Sequence, residues 1–189
     1  MATTTSTAAL RADSARVRAR MLAAARQMLA SGDTELPMNA IAKAAGVGVG
    51  TMYRHFPSRQ VLLESLAAES YQLLVSEAEA AAGNPDVTAG LTRLLRAALR
   101  CQLTDPSLAA VLSTPSSACA ETVQLSRDLG AASLRMLDRA RAAGVVRPEV
   151  TADDLRRLTC GVQHAVRSGD DDGTAADRYL DIMVRGLRP

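Results

Sequence analysis

Aromatic residues are nearly missing from this chain. Among 189 residues there is no Trp, one Phe and three Tyr. That scarcity argues against a pocket that sandwiches flat aromatic molecules between rings. Cysteine is equally sparse: Cys101, Cys119 and Cys160 are odd in number, far apart, and form no CxxC pair. A disulfide framework and a zinc site are thereby disfavoured, and the thiols read as small buried hydrophobes, with redox sensing as the alternative. No apolar run approaches the roughly 18 residues of a membrane span, and the polar start lacks the apolar centre of a signal peptide. The expectation is a cytoplasmic protein with no membrane partner. Strand-like alternation, internal repeats, a Gly-rich phosphate loop and a metal-ligand cluster are also missing, so neither a cofactor nor a metal is expected.

What is present is Ala, Leu and Arg in abundance, a composition that favours helix. Hydrophobic residues make up 48% and charged residues 22%, ordinary for a globular protein. The net charge of +2 is unevenly spread: residues 1–60 carry eight Lys/Arg against three acids, a balance of +5, while the remainder carries fourteen against seventeen, a balance of −3. A basic first third points to an anionic partner for that part alone; chance clustering on solvated faces is the competing explanation.

Helical patterns succeed one another between Gly, Pro and short polar stretches, so the fold is expected to be all-α, with about nine helices. The first runs from about Asp13 to Ala30, with Val17, Met21, Leu22, Ala25, Met28 and Leu29 as its apolar stripe; residues 1–12 read as a disordered lead-in. Short helices follow Pro37 and span roughly Val49 to Phe56, where Pro57 stops the second. Ser58 caps a longer helix to about Ala82. Helices starting near Val87, Pro106 and Ala120 follow. Thr151 and Asp154 resemble a capping box ahead of a helix, and a last helix follows the polar turn at residues 168–175.

The chemistry concentrates in "GVGVGTMYRHFPSRQVLLESL", residues 46–66. Residues 38–56 read as two short helices joined by a tight turn in which Gly46 takes a positive φ. On a wheel of about 100° per residue, Met52 and Phe56 share the inward face. Gly50 and Arg54 fall opposite, Thr51 and Tyr53 flank them, and His55 sits at the margin. An Arg suits guanine O6/N7, a Thr a thymine methyl, and Tyr and His phosphate oxygens. From the residues alone, a helix whose polar face merely meets water remains the alternative.

The same stretch, with "MNAIAKAAG" before it and "RARMLAAARQMLASGD" upstream, resembles the N-terminal signature of the TetR family of bacterial transcriptional regulators over residues of about 13–66. The resemblance implies a three-helix helix-turn-helix DNA-binding domain (residues 13–57) followed by a six-helix dimerisation and ligand-binding domain (residues 58–189). It implies double-stranded operator DNA as a partner, a homodimer, and a repressor released by a small molecule. Carried over by position, the DNA contacts are Asn39, Val49, Gly50, Thr51, Tyr53, Arg54, His55 and Arg59, the last standing where the family usually has a phosphate-contacting Lys. Two departures stand out: Gly48-Val49 replaces a frequent Ser-Lys, and Pro37 replaces a frequent capping Thr.

In the C-terminal two thirds, the resemblance places the dimer interface on the last two helices, about 152–167 and 175–187. A pocket among residues 58–143 would be aliphatic and suit a small apolar or amphipathic ligand. Its candidate polar handles are Cys101, Gln102, Cys119, Thr122, Gln163 and His164. Two other classes of function stay open at this point. One is an interaction scaffold that has kept the helix-turn-helix without DNA binding. The other is a thiol enzyme using Cys160 and His164, one helical turn apart.

Overall fold

The computed structural model describes residues 3–114, 116–169 and 173–189. Among them are nine α-helices and no strand: α1 Thr3–Ala30, α2 Met38–Ala44, α3 Val49–His55, α4 Arg59–Ala82, α5 Val87–Thr104, α6 Pro106–Ser113, α7 Ala120–Ala142, α8 Ala152–Ser168 and α9 Ala175–Gly186.

The helix ends follow from side-chain chemistry that the sequence displays. The Ser58 hydroxyl accepts from Val61 N–H at 3.2 Å. Asp86 accepts from Ala89 N–H at the start of α5, and Asp105 from Ser107 and Leu108 N–H at the start of α6, with Pro106 in the first turn. Thr151 and Asp154 close a reciprocal capping box on α8, and those hydrogen bonds hold the Asp154 carboxyl below its ordinary pKa. Gly46, at φ +65°, ends α2. Its N–H donates to Lys43 O, and Val47 N–H reaches back to Ala42 O at 3.0 Å, which satisfies two otherwise free carbonyls.

The first helix departs from expectation. α1 begins at Thr3, not near Asp13, so the part of the expected lead-in that is described continues as helix. Residues 8–12 are rich in Ala, Leu and Arg, which favour helix, whereas residues 3–7 are Thr and Ser, whose propensity does not account for their inclusion. Residues 1–2 of the lead-in, and residues 170–172 of the expected polar turn, lie outside the described residues.

The chain divides into two compact units, Met1–Leu66 and Ala67–Pro189, with the break inside α4 rather than at residue 57. In the first unit, Met21, Ala25, Leu36, Ile41, Ala42, Met52, Phe56 and Leu62 have no exposed surface. In the second, one cluster joins Ala78 and Ala81 of α4, Leu91, Leu95 and Leu99 of α5, Met136, Leu137 and Ala140 of α7, Leu155 of α8, and Leu180 and Met183 of α9. Arg139 of α7 donates to the carbonyls of Ala82 and Asn84, which fastens the end of α4 and the turn after it.

Beside that clasp the packing leaves no room at Gly90. A Cβ there would lie 2.7 Å from Ala81 O and 3.2 Å from Met136 Sδ. Ala in a helix interior normally gains about 1 kcal/mol over Gly, but a backbone carbonyl cannot swing aside, and overpacking costs about 1–3 kcal/mol. Gly90→Ala is therefore expected to lower the thermal midpoint. Gly130→Ala on α7, where an added Cβ meets nothing within 4 Å, is expected to stabilise by up to about 1 kcal/mol. Parallel melts followed by circular dichroism test the pair, and a midpoint for Gly90→Ala at or above that of the parent would contradict the packing argument.

Candidate nucleic-acid interface

α2 and α3 are seven residues each, too short to persist without tertiary support. In α3 that support is Met52 together with Phe56, the residue on which the helix ends; both are fully buried. With these two fixed inward, the remaining side chains have one direction left. Val49 and Tyr53 are 45% and 46% exposed, high values for an apolar and an aromatic residue in a unit whose other large hydrophobics are mostly buried. Gly48, Gly50 and Arg54 are exposed, and Thr51 and His55 are half-buried. An added Cβ at Gly48 or Gly50 meets nothing within 4 Å, so no close contact requires these glycines; Gly48 stands at the N-cap of α3.

The polar groups of this face are held by one another. Arg54 Nε donates to Gly50 O at 3.2 Å and Nη2 to Thr51 Oγ1 at 3.0 Å, both exposed bonds within the helix. Such bonds are exchanged for water or an incoming acceptor at little net cost. Asn39 is exposed on α2, and Pro37 caps that helix without any side-chain hydrogen bond, as the departure from Thr anticipates.

Arg59, the expected phosphate contact, is exposed, and its guanidinium has partners of its own within the unit. Its Nε donates to Glu35 O at 2.7 Å and its Nη2 to Thr34 O at 2.6 Å, so the guanidinium clasps the α1–α2 loop. That loop is shaped for it. Asp33 Oδ1 accepts from the N–H groups of Glu35 and Leu36 at 3.1 and 3.3 Å, and Leu36 takes φ +50° while fully buried. A left-handed leucine costs of the order of 1 kcal/mol or more, offset by burial of its side chain. The sequence carries no local signal for this clasp, because donor and acceptors stand 24 and 25 residues apart.

The second unit contains a partly open cavity of about 70 Å³ walled by leucines, Leu74, Leu94, Leu112 and Leu129 among them, with Gln102, Ser133, Arg156 and Thr159 as its polar points. Of the six expected handles only Gln102 lines it. Cys101 is buried beside it in sequence, and burial pushes its thiol pKa up, which keeps it protonated and unreactive at neutral pH. Thr122 is buried, Cys119 and Gln163 are half-buried, and His164 is exposed. The thiol–imidazole pair finds other partners: Cys160 Sγ donates to Gln102 Oε1 at 3.3 Å, while His164 Nε2 lies 3.5 Å from Ser168 Oγ. Ser133, Arg156 and Thr159 were not anticipated, since which turn of a helix meets a cavity is decided by packing. No group of three or more metal-ligating side chains occurs among the described residues, and no described helix is long and apolar enough to cross a membrane. On α8 and α9, Leu158 and Ile182 are 44% and 61% exposed and line a groove of about 380 Å³ with Gly161, Ala165 and Tyr179.

Comparison with known proteins agrees with this layout. Residues 21–66 match the family model of bacterial regulatory proteins of the TetR family, and residues 86–189 match that of the C-terminal domain of SbtR-like transcriptional regulators. The HTH-type transcriptional repressor KstR of Rhodococcus jostii (strain RHA1) is 32% identical over 143 residues, covering 73% of this chain; the chain spans 64% of the length of that relative. Among solved structures, the TetR transcriptional regulator SCO0520 from Streptomyces coelicolor is 26% identical with a TM-score of 0.54, covering 91% of this chain and 98% of that one. The TetR family transcriptional regulator PfmR from Thermus thermophilus, at 21% identity and a TM-score of 0.62, covers 90% and 96% of the two chains and shares the fold. The protein whose short third helix bares Val49, Tyr53 and Arg54 above a buried Met52 and Phe56 belongs to the TetR family of bacterial regulatory proteins.

Proposed function

We propose that the protein is a homodimeric transcriptional repressor that binds operator DNA through α3 and releases it when a small molecule enters the cavity of the second unit. The observation that carries this reading is the exposed face of α3: an apolar, an aromatic and a cationic side chain project from a helix whose only inward residues anchor it. Those groups match a thymine methyl, a phosphate and the acceptor edge of guanine. Arg54, Thr51, Tyr53 and Val49 are the proposed groove contacts, with Gly50 permitting close approach and Asn39 and His55 at the backbone. Repression rather than activation is favoured by the curated relative, itself a repressor.

Dimerisation is proposed along α8 and α9, where Leu158 and Ile182 stand exposed beside the small residues Gly161 and Ala165. Two such faces pack as an intermolecular four-helix bundle. A dimer is what an operator read at two major grooves about 34–36 Å apart requires.

The effector site is proposed at the cavity of about 70 Å³. A dry cavity of about 150 Å³ accepts benzene, so this one must widen to take any molecule of that size. An effector then acts by favouring the widened state, and only its differential affinity for the two states counts. Leu74 on α4 stands in the cavity wall, and α4 begins at Arg59, shortly after the reading helix. That helix is the proposed carrier of the change. A helix whose polar face merely meets water is disfavoured by the apolar and aromatic exposure on α3, and the interaction scaffold is separated from the regulator by duplex binding. The thiol enzyme is disfavoured because Cys160 and His164 bond elsewhere.

Fluorescence anisotropy with the DNA flanking the protein's own gene tests the reading. Arg54→Ala is expected to cost about 1–3 kcal/mol and relax sequence preference at one base position; an equal loss on every duplex would reassign Arg54 to phosphate. Ile182→Glu is expected to give a monomer in sedimentation and to abolish tight operator binding; a dimer that persists would move the interface elsewhere.

A further inference from the structure

α1 is longer than its unit needs. From Ala9 onward its first fully buried residue is Met21, and between Ala9 and Arg20 only Val17 is even partly covered. A helix with no packed face is marginal in water, and this one carries Arg11, Arg16 and Arg20 with no ion pair or side-chain hydrogen bond among the described residues. Arg18 is the exception. Its Nη2 donates to Ser65 Oγ at 2.9 Å, and its guanidinium lies 5.0 Å above the ring of Phe56. Since α3 ends on Phe56, Arg18 marks the face of α1 that looks over the C-terminal end of the reading helix.

At about 100° and 1.5 Å per residue, Arg11 falls about 20° from Arg18 and about 10 Å further up the axis. Ser14 lies between them, about 40° to the other side of Arg18. This face therefore offers a guanidinium and a hydroxyl in line with Arg18, and no acid. Asp13 and Arg16 project from the opposite side. Arg and Ser are both donors to phosphate oxygens, and the first third of the chain is the basic part of the molecule.

We propose that Arg11 and Ser14 form a second DNA contact, a phosphate-binding stripe on the extension of α1 that grips the duplex backbone beside the groove entered by α3. The inference rests on the reading of α3 as the DNA reader. The occupant is the phosphodiester backbone, recognised by charge and hydrogen bonding alone, so the stripe adds affinity without sequence preference.

The test is a salt titration of duplex binding by the full-length chain, comparing the double variant Arg11→Ala/Ser14→Ala with Arg16→Ala and Arg54→Ala. All four side chains are exposed, so unchanged circular dichroism is expected throughout. Each phosphate contact contributes about 0.9 to the slope of log affinity against log salt, or about eight-fold in affinity between 1 M and 0.1 M salt. The double variant should lose at least that much per protomer at 0.1 M salt, equally on operator and unrelated duplexes, while Arg16→Ala should change affinity by less than about two-fold. Operator binding that needs Arg54 but is indifferent to Arg11 and Ser14, with an unchanged slope, overturns the stripe alone. An equal loss from Arg16→Ala assigns the effect to net charge and also overturns it. A chain that binds no duplex at all overturns the reading on which the stripe rests.

Discussion

Burial of one benzyl and one thioether side chain under a seven-residue helix is the constraint on which the first unit depends. α3 has too few turns to hold itself, so its orientation is that of Met52 and Phe56. Phe56 does three things at once. It anchors α3, it leaves the helical conformation at φ −133° ahead of Pro57 and so ends the helix, and its ring receives Arg18 of α1. The chain's single Phe thus fixes two helices relative to each other and sets where α4 can start. Replacing it by a smaller side chain would loosen all three relations together, which is why a chain so poor in rings keeps one here.

A second fixed point lies in the loop that joins α1 to α2. Asp33, Leu36 and Arg59 act on the same four residues from three directions: a carboxylate turns the backbone, a buried side chain holds a left-handed residue in place, and a guanidinium from α4 takes the carbonyls that the turn exposes. The cost of the left-handed leucine is tolerable only because the other two interactions leave it no alternative. The result is that α2 lies between a loop fixed by specific hydrogen bonds and the hydrogen-bonded Gly46 turn.

Most helix boundaries were legible in the sequence because they are written in local chemistry. Ser58, Asp86, Asp105 and Thr151 cap, Gly46 and Pro57 stop, and each acts within four residues of its own position. The inward pair of α3 was legible for the same reason, since a helical wheel needs only sequence spacing. What escaped is non-local. The extension of α1 starts in a Thr/Ser run and shows no apolar periodicity, so no local pattern announced it. Arg59 has the position of a phosphate contact but the surroundings of a loop clasp, and only folding brings Thr34 and Glu35 to it. Gln102 alone among the expected pocket handles meets the cavity, because residue type says nothing about which side of α5, α7 or α8 faces inward.

The two units treat their polar atoms in opposite ways, and the difference bears on what each can recognise. Around the cavity, Gln102 gives its N–H to Ala98 O and receives the Cys160 thiol, Thr159 donates to Leu155 O, and Arg156 is shared between Leu112 O and Asp153. Among the described residues of its wall, only Ser133 brings a hydroxyl without such a bond. A guest there meets a leucine wall whose polar points are almost all spent, so discrimination must come from size and shape, with one hydroxyl to orient it. On α3 the bonds of Arg54 are exposed and local, and an acceptor that displaces them leaves nothing buried and unpaired. Recognition by hydrogen bonding is therefore available at low cost in the first unit and restricted mainly to Ser133 in the second. The first unit thus presents exchangeable donors at its surface, and the second a leucine-walled space whose contacts are mainly those of packing.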